Sequence, residues 1–289
     1  MPSQIVFDCQ HPLAAQDVAA TPSDGRMLTG VSIFDLDRTL TRNGTYSPFL
    51  LYAARVHCPW RLMFVPVVLA AMIAYKFRLL RRKQLKELMH RLLIGANIDR
   101  QTINHIAERF ADRLLESNVY PQARAFVDRE RAQGRLLIMA TAAHRFYAAP
   151  IAARLGIHHV VATESTWRGD RLTPRINGSN CHSSDKLAHI IEYLDAAGVK
   201  RSECRLRFLS DDLSDRTTFE WCDEPIAVNP SRQLKQLAID RGWSQLDWRQ
   251  EAAKLKASPP RPARLGEGSE LDPERLRKQT LASAVQSPE

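Results

Sequence analysis

None of the five cysteines, Cys9, Cys58, Cys181, Cys204 and Cys222, forms a CxxC pair, and none of the nine histidines falls in an HExxH. Neither a structural zinc site nor a zinc-protease helix is spelled out, and an odd, scattered set of thiols reads as reduced cysteine in a cytosolic setting. His158 and His159 precede a strand-like run and are not read as a metal site. There are no internal repeats. Residues 1–30 lack the apolar core of a signal peptide and read as a poorly ordered leader. Long hydrophobic runs are absent too: the uncharged stretch Leu62–Tyr75, bracketed by Arg61 and Lys76, would reach only about 21 Å as a helix, against about 30 Å of bilayer hydrocarbon. A hydrophobic content of 44% nevertheless excludes wholesale disorder.

What is present centres on Val31–Thr41. Val31 to Phe34 has the β-branched and aromatic composition of a buried strand, and it runs straight into Asp35 and Asp37, one residue apart. Ligands of open parallel α/β sheets bind beyond the carboxyl ends of the strands, which places both acids at the mouth of a site. At the ordinary aspartate pKa of about 3.9, Asp35 is ionised at neutral pH and serves as an oxygen nucleophile or metal ligand. Asp37, beside a like charge, is the better proton donor to a leaving oxygen.

Downstream, strand-like runs alternate with helical ones. Asn43-Gly44 is a turn, and Ser47-Pro48 are expected to open a helix as N-cap and first residue. From Phe49 to Val119 the pattern is helical, without a convincing strand; Asp99 and Thr102 start one amphipathic helix there. Pro121 introduces a further helix. Strands are expected at Leu136–Ala140, ending at Thr141, at His159–Thr163, at Arg205–Leu209 before Asp211 and Asp215, and at Pro225–Val228. Gly169-Asp170 joins two short antiparallel pieces, and Ser183–Asp185 caps a helix that begins at Lys186. The fold class is α/β: a three-layer, parallel-sheet, Rossmann-like core over 31–48 and 120–248, a helical cap inserted at 49–119, and a disordered Pro- and charge-rich tail at 249–289.

Phe34-Asp35-Leu36-Asp37-Arg38-Thr39-Leu40-Thr41 resembles the first motif, Asp-x-Asp-x-Thr, of the haloacid dehalogenase superfamily of phosphohydrolases. Thr141, Lys186, and Asp211 with Asp215 match the second to fourth motifs in order and spacing. The resemblance implies that Asp35 attacks phosphorus to form an aspartyl-phosphate, with Asp37 as general acid and then base. It implies that Thr141 and Lys186 hold the phosphoryl oxygens. Mg²⁺ would take Asp35, the backbone carbonyl of Asp37, and Asp211, with Asp215 supporting it. Taken singly, Thr141 is as well read as a strand-end hydroxyl, Lys186 as a solvated helix residue, and Asp211 and Asp215 as a helix cap. Within the superfamily the chain looks most like the phosphoserine-phosphatase-like subfamily IB. Ala140–Ala143, Val161–Glu164, Asn180-Cys181 and Ala227–Pro230 resemble its lipid-phosphatase side, which includes phosphatidylglycerophosphatase C. Arg38 stands where a glycine is commoner, and Asp212 where a serine is frequent.

The net charge of +9 points to an acidic partner. Lys76, Arg78, Arg81, Arg82, Lys83, Lys86 and Arg91 crowd together directly after the apolar stretch, which favours an anionic membrane surface over nucleic acid. A single crossing by Leu62–Tyr75 would separate Asp35 from the later motifs. The options are therefore an interfacial helix, a re-entrant hairpin hinged near Pro66, or a helix buried in the cap. The expected function is a Mg²⁺-dependent phosphomonoester hydrolase acting on a phospholipid monophosphate such as phosphatidylglycerophosphate. The expected place is the cytoplasm, peripheral on the inner face of the inner membrane. The alternatives are a soluble small-molecule phosphatase, such as one for phosphoserine, and a catalytically inert regulator on the same fold.

Overall fold

The computed structural model describes residues 28–250. The chain begins with β1 (Thr29–Phe34) and a tight turn over Leu36–Leu40. Then come α1 (Tyr46–His57), α2 (Val65–Lys76), α3 (Arg82–Leu93), β2 (Ile98–Asp99), α4 (Arg100–Ser117) and α5 (Pro121–Ala132). The remainder alternates: β3 (Leu136–His144), α6 (Arg145–Arg154), β4 (His159–Arg168), β5 (Arg171–Asn177), α7 (Ser184–Ala196), β6 (Cys204–Ser210), α8 (Arg216–Trp221), β7 (Glu224–Val228), α9 (Arg232–Asp240) and β8 (Ser244–Leu246).

These strands form one sheet in the order β2-β5-β4-β3-β1-β6-β7-β8. The six strands from β4 to β8 in that order are parallel, while β5 and β2 extend the edge antiparallel. Alternation of side chains in β1 decides the two faces. Val31 and Ile33 pack with Ile190, Leu194, Phe219 and Leu234 of α7, α8 and α9. Phe34 turns the other way, against Phe126 and Val127 of α5 and Ile151 of α6. The result is the expected three-layer α/β core, with β1 central and the chain leaving it to β3 on one side and β6 on the other. Ligand clefts form where the connections diverge in this way, and Asp35 lies there.

The segment between β1 and α5 folds over that point. Phe49 of α1 stacks on Tyr147 of α6 (4.5 Å between centroids) and meets Phe110 of α4 edge-on at 5.2 Å, so the inserted helices share a core with the sheet layer.

Several boundaries differ from the sequence reading. α1 starts at Tyr46 after Thr45, so Ser47 is not its cap. The inserted segment contains a strand after all, the two-residue β2, which borrows its pairing from β5 and has too few residues to show a period. β3 continues past Thr141 to His144, and β8 adds a parallel edge beside β7. Ser183, at φ +59°, makes no side-chain cap to α7. The expectations for the leader and the tail lie almost wholly outside the described residues.

At the amino-terminal end of the central strands, the fully buried Glu130 of α5 accepts from Ser32 Oγ (2.6 Å) and from Arg207 Nη1 at 2.5 and 2.6 Å, with Arg135 Nε 3.3 Å away. Arg135 also donates to the carbonyls of Val31 and Arg205. One carboxylate thus ties α5 to β1, β6 and the start of β3. Glu130→Ala leaves two arginines without their shared anion, and urea unfolding is expected to show a loss of about 3–5 kcal/mol. A change below about 1 kcal/mol would show that these arginines find other partners.

Candidate active site

Three strand exits and one helix start converge. Asp35 directly follows β1, and its N–H donates to Leu209 O of β6 at 2.9 Å, which keeps the chain in sheet register up to the acid. Lys186, in the first turn of α7, donates to Asp35 Oδ1 at 2.8 Å and to Asp215 Oδ2 at 2.6 Å. All three side chains are buried. Ser210 Oγ, at the end of β6, donates to Asp215 Oδ2 at 2.7 Å. Thr39 Oγ1 lies 3.2 Å from Asp35 Oδ2 and 3.4 Å from Asp211 Oδ1, and accepts from Asp211 N at 3.0 Å. Asp35 and Asp211 are therefore one hydroxyl apart.

Asp37 is turned away from this cluster: its Oδ1 accepts from Thr45 N at the start of α1, 2.7 Å away. Thr141, fully buried in β3, accepts from Ala143 N at 3.1 Å. It stands just past Met139, the register partner of Phe34, on the strand next to the acids. Of the six residues singled out in the sequence, Asp35, Lys186, Asp211 and Asp215 are gathered through direct or one-hydroxyl contacts, while Asp37 and Thr141 flank them.

Burial dominates the electrostatics. It pushes the Asp35 carboxyl up to about 7; Lys186 opposes this and Asp215 adds to it. The expectation of an ordinary, fully ionised Asp35 is thereby corrected, because the sequence does not show how completely water is removed. Asp211 rises to about 8 through burial, then through Asp35 and Asp212. Burial pulls the Lys186 ammonium down, but Asp215 and Asp35 more than offset it and hold it above its usual range.

Asp215 Oδ1 is buried without a hydrogen-bond partner, and burial raises both the Asp35 and the Asp211 carboxyls, so the cluster holds more buried carboxylate than Lys186 alone offsets. That donor set fits a hard divalent cation. Among the described residues no three acidic, histidine or cysteine side chains chelate together. Two carboxylates with a backbone carbonyl and waters is the share Mg²⁺ takes, whereas Zn²⁺ asks for a closed set of nitrogen and sulfur ligands.

Sequence reasoning missed Thr39 and Ser210 as site residues, although both adjoin the motif acids, and it missed Asn229. Asn229 Nδ2 donates to Arg38 O at 3.2 Å, and Arg38 itself is left-handed at φ +64°. That backbone explains why glycine is common at the position. Asp212 is accounted for as well: its Oδ1 accepts from Ser214 N at 2.9 Å and caps the turn that presents Asp215.

A three-layer α/β core whose central parallel strand ends in a buried carboxylate paired with lysine is an arrangement suited to an enzyme of phosphoryl transfer. The family model for haloacid dehalogenase-like hydrolases matches residues 33–220, and the chain belongs to that family. A phosphoserine phosphatase of Mycobacterium tuberculosis is 26% identical over 82% of this chain and 79% of its own length. A Streptomyces azureus protein named for inhibition of morphological differentiation is 27% identical over 63% of this chain and 66% of its own. Among solved structures, a Bordetella pertussis protein of unknown function shares 27% identity and a TM-score of 0.70, covering 77% of this chain and all of that one. A phosphoserine phosphatase captured as its phospho-aspartyl analogue shares the fold, at TM-score 0.52 and 15% identity. The protein is a hydrolase of the phosphatase type.

Lys186→Met removes the only cation between Asp35 and Asp215. The raised Asp35 pKa means that the folded state keeps a proton the unfolded chain gives up, so this contribution to stability is lost as pH rises from about 4 towards 7. The variant is expected to be destabilised by about 3 kcal/mol at about pH 8 and by clearly less at about pH 5, read by urea unfolding at both. An equal loss at both would mean that the pair is not electrostatically coupled.

Proposed function

We propose that the protein is a Mg²⁺-dependent phosphomonoesterase working through an aspartyl-phosphate, on a phospholipid monophosphate such as phosphatidylglycerophosphate at an anionic membrane surface. In this reading Asp35 Oδ attacks phosphorus and the bond to the leaving alkoxide breaks. Asp37, held at the start of α1, gives its proton to that alkoxide and later takes one from the water that hydrolyses the acyl-phosphate. Lys186, the N–H groups opening α7, and Thr141 hold the phosphoryl oxygens. Asp35, Asp211 and the Asp37 carbonyl would hold Mg²⁺, with Asp215 in support; when bound, the ion neutralises charge on the transferring group.

The observation that carries the chemistry is Lys186 between Asp35 and Asp215, beside Asp211. Support for a lipid substrate comes from α2. Pro59–Lys76 is one helical run with a mean hydropathy of 1.3, and α2 itself buries only Val68 and Ala71. Met63, Phe77 and Leu79 are 69%, 71% and 76% exposed, and Trp60, Val67, Leu69 and Ile73 are exposed with them. A helix buried in the cap is thus not what forms. Pro66 opens α2 rather than hinging a hairpin, because its missing N–H costs nothing in the first turn. β1 before this run and β3 after it pair in one sheet, so the run leaves and returns on the same side. That supports an interfacial helix, with the exposed Lys76, Arg78 and Arg81 at its end available to anionic headgroups. Within the family, this favours the lipid side of subfamily IB.

Asp35→Asn is expected to lower turnover of para-nitrophenyl phosphate with Mg²⁺ by about 10³-fold or more. Wild-type turnover by the variant would end the nucleophile assignment. Because Asp35 and Asp211 hold protons near neutrality, Mg²⁺ must displace them. Its affinity, read by calorimetry, is expected to fall by about fifty-fold or more from pH 8 to pH 6, and a flat profile would contradict the ligand set. On flotation, the protein is expected to rise with anionic vesicles, and Met63→Ser/Phe77→Ser/Leu79→Ser to remain largely below. Equal recovery of both forms in the soluble fraction would favour a small soluble substrate such as phosphoserine.

A further inference from the structure

The inner face of α3 carries cations that the phosphoryl chemistry leaves unused. Lys86 reads in the sequence as part of a solvated basic run, but the structure turns it inward, to 7% exposure. Its Nζ donates to Ala142 O at 2.5 Å and to Asn180 Oδ1 at 2.7 Å, and sits 5.3 Å from the centroid of the Tyr46 ring. All three partners are neutral. At the rim, Arg82 donates to His182 Nε2 at 2.5 Å and Lys83 to Gly178 O at 3.0 Å, again neutral acceptors. One turn beyond Lys86, the fully buried His90 leaves both ring nitrogens without a partner, and His144 Nε2, across from it at 6.2 Å between ring centroids, is unpartnered too. A structural lysine removed from water ordinarily meets a carboxylate, since a buried unpaired ammonium is costly. Here, among the described residues, Arg82, Lys83 and Lys86 form no ion pair.

Their position gives them a role. Ala142 directly follows Thr141, and Tyr46 directly follows Thr45, whose N–H holds Asp37. The seam between α3 and residues 178–182 therefore begins where Asp37 would meet the departing alkoxide. We propose that this seam is a subsite for a second anionic group carried by the leaving alcohol, with Lys86 at its floor and Arg82 and Lys83 at its mouth. The inference rests on the phosphatase reading and narrows its substrate class: a phosphate monoester whose alcohol bears a phosphodiester or a carboxylate. The apolar α2 packs beside α3, which suits a phosphodiester followed by acyl chains. Burial, then Arg82, draws the Lys86 ammonium down to about 7 against the smaller opposing pull of Asp37, and a further anion in the seam would restore its charge.

The test compares kcat and KM of the full-length wild type, Lys86→Met and Arg82→Gln/Lys83→Gln, with Mg²⁺, on three substrates: short-chain phosphatidylglycerol phosphate, phosphoserine and para-nitrophenyl phosphate. The expected result is a loss of kcat/KM on a doubly anionic substrate at least about tenfold greater than on para-nitrophenyl phosphate, carried by KM. A selective loss on the phosphatidylglycerol phosphate identifies a phosphodiester as the anion, and one on phosphoserine a carboxylate. Equal losses on all three overturn the subsite and leave the phosphatase reading standing. A wild type inert towards all three would remove that reading and this inference with it. The exposed Arg82/Lys83 pair keeps the test decisive if Lys86→Met does not fold.

Discussion

The ammonium of Lys186, shared between Asp35 and Asp215, is the contact on which the arrangement of the site depends. It joins the exit of β1, the turn after β6 and the first helical turn of α7 across 151 and 29 residues of chain respectively. Five aspartates fall on two neighbouring strand exits, Asp35 and Asp37 after β1 and Asp211, Asp212 and Asp215 after β6, and the buried cation offsets part of their mutual repulsion. Desolvating three charges offsets much of the Coulombic gain, so the triad contributes less to net stability than to which conformation the strand ends adopt. The site is held in a state where proton affinity is high and a polyvalent cation or a phosphoryl group has somewhere to act.

Much of the core was readable in the residues because its signals are local. Short apolar runs mark β1, β3, β4, β6 and β7, the Gly169-Asp170 turn closes the β4–β5 hairpin, and Asp99 caps α4 through Thr102 N. The motif acids announce themselves by following apolar runs. What escaped has a non-local cause. β2 and β8 exist only because a neighbour offers a free edge. Thr39 and Ser210 matter through partners brought to them by the fold. The inward turn of Lys86 is invisible in a basic run whose other members face solvent, since a helix carries both faces through the same stretch of letters.

The inserted helices divide two tasks between neighbours. α2 is apolar all round and keeps only one narrow line of contact with the body. α3 is strongly two-sided, with Leu85, Met89 and Leu93 inward beside Lys86 and His90. A lipid surface outside and a polar seam inside would thus meet the same pair of helices, so that recognition of the apolar and charged parts of one molecule needs no separate domain. Burial of Asp35 also gives the electrostatics their strength: proton affinities move this far only where water is excluded.

Asn229 links distant parts of the chain. It sits left-handed at φ +47°, holds the Arg38 carbonyl, donates its own N–H to Leu246 O and accepts from Arg249 N through Oδ1. The loop that carries Asp37 is thereby bolted to the last strand of the sheet. Residues around 246–249, remote from the acids in sequence, act as a backstop for the loop that carries Asp37, and because Trp248 among them is buried against Tyr120 and Phe126, trimming the chain there would disturb that loop and the core together.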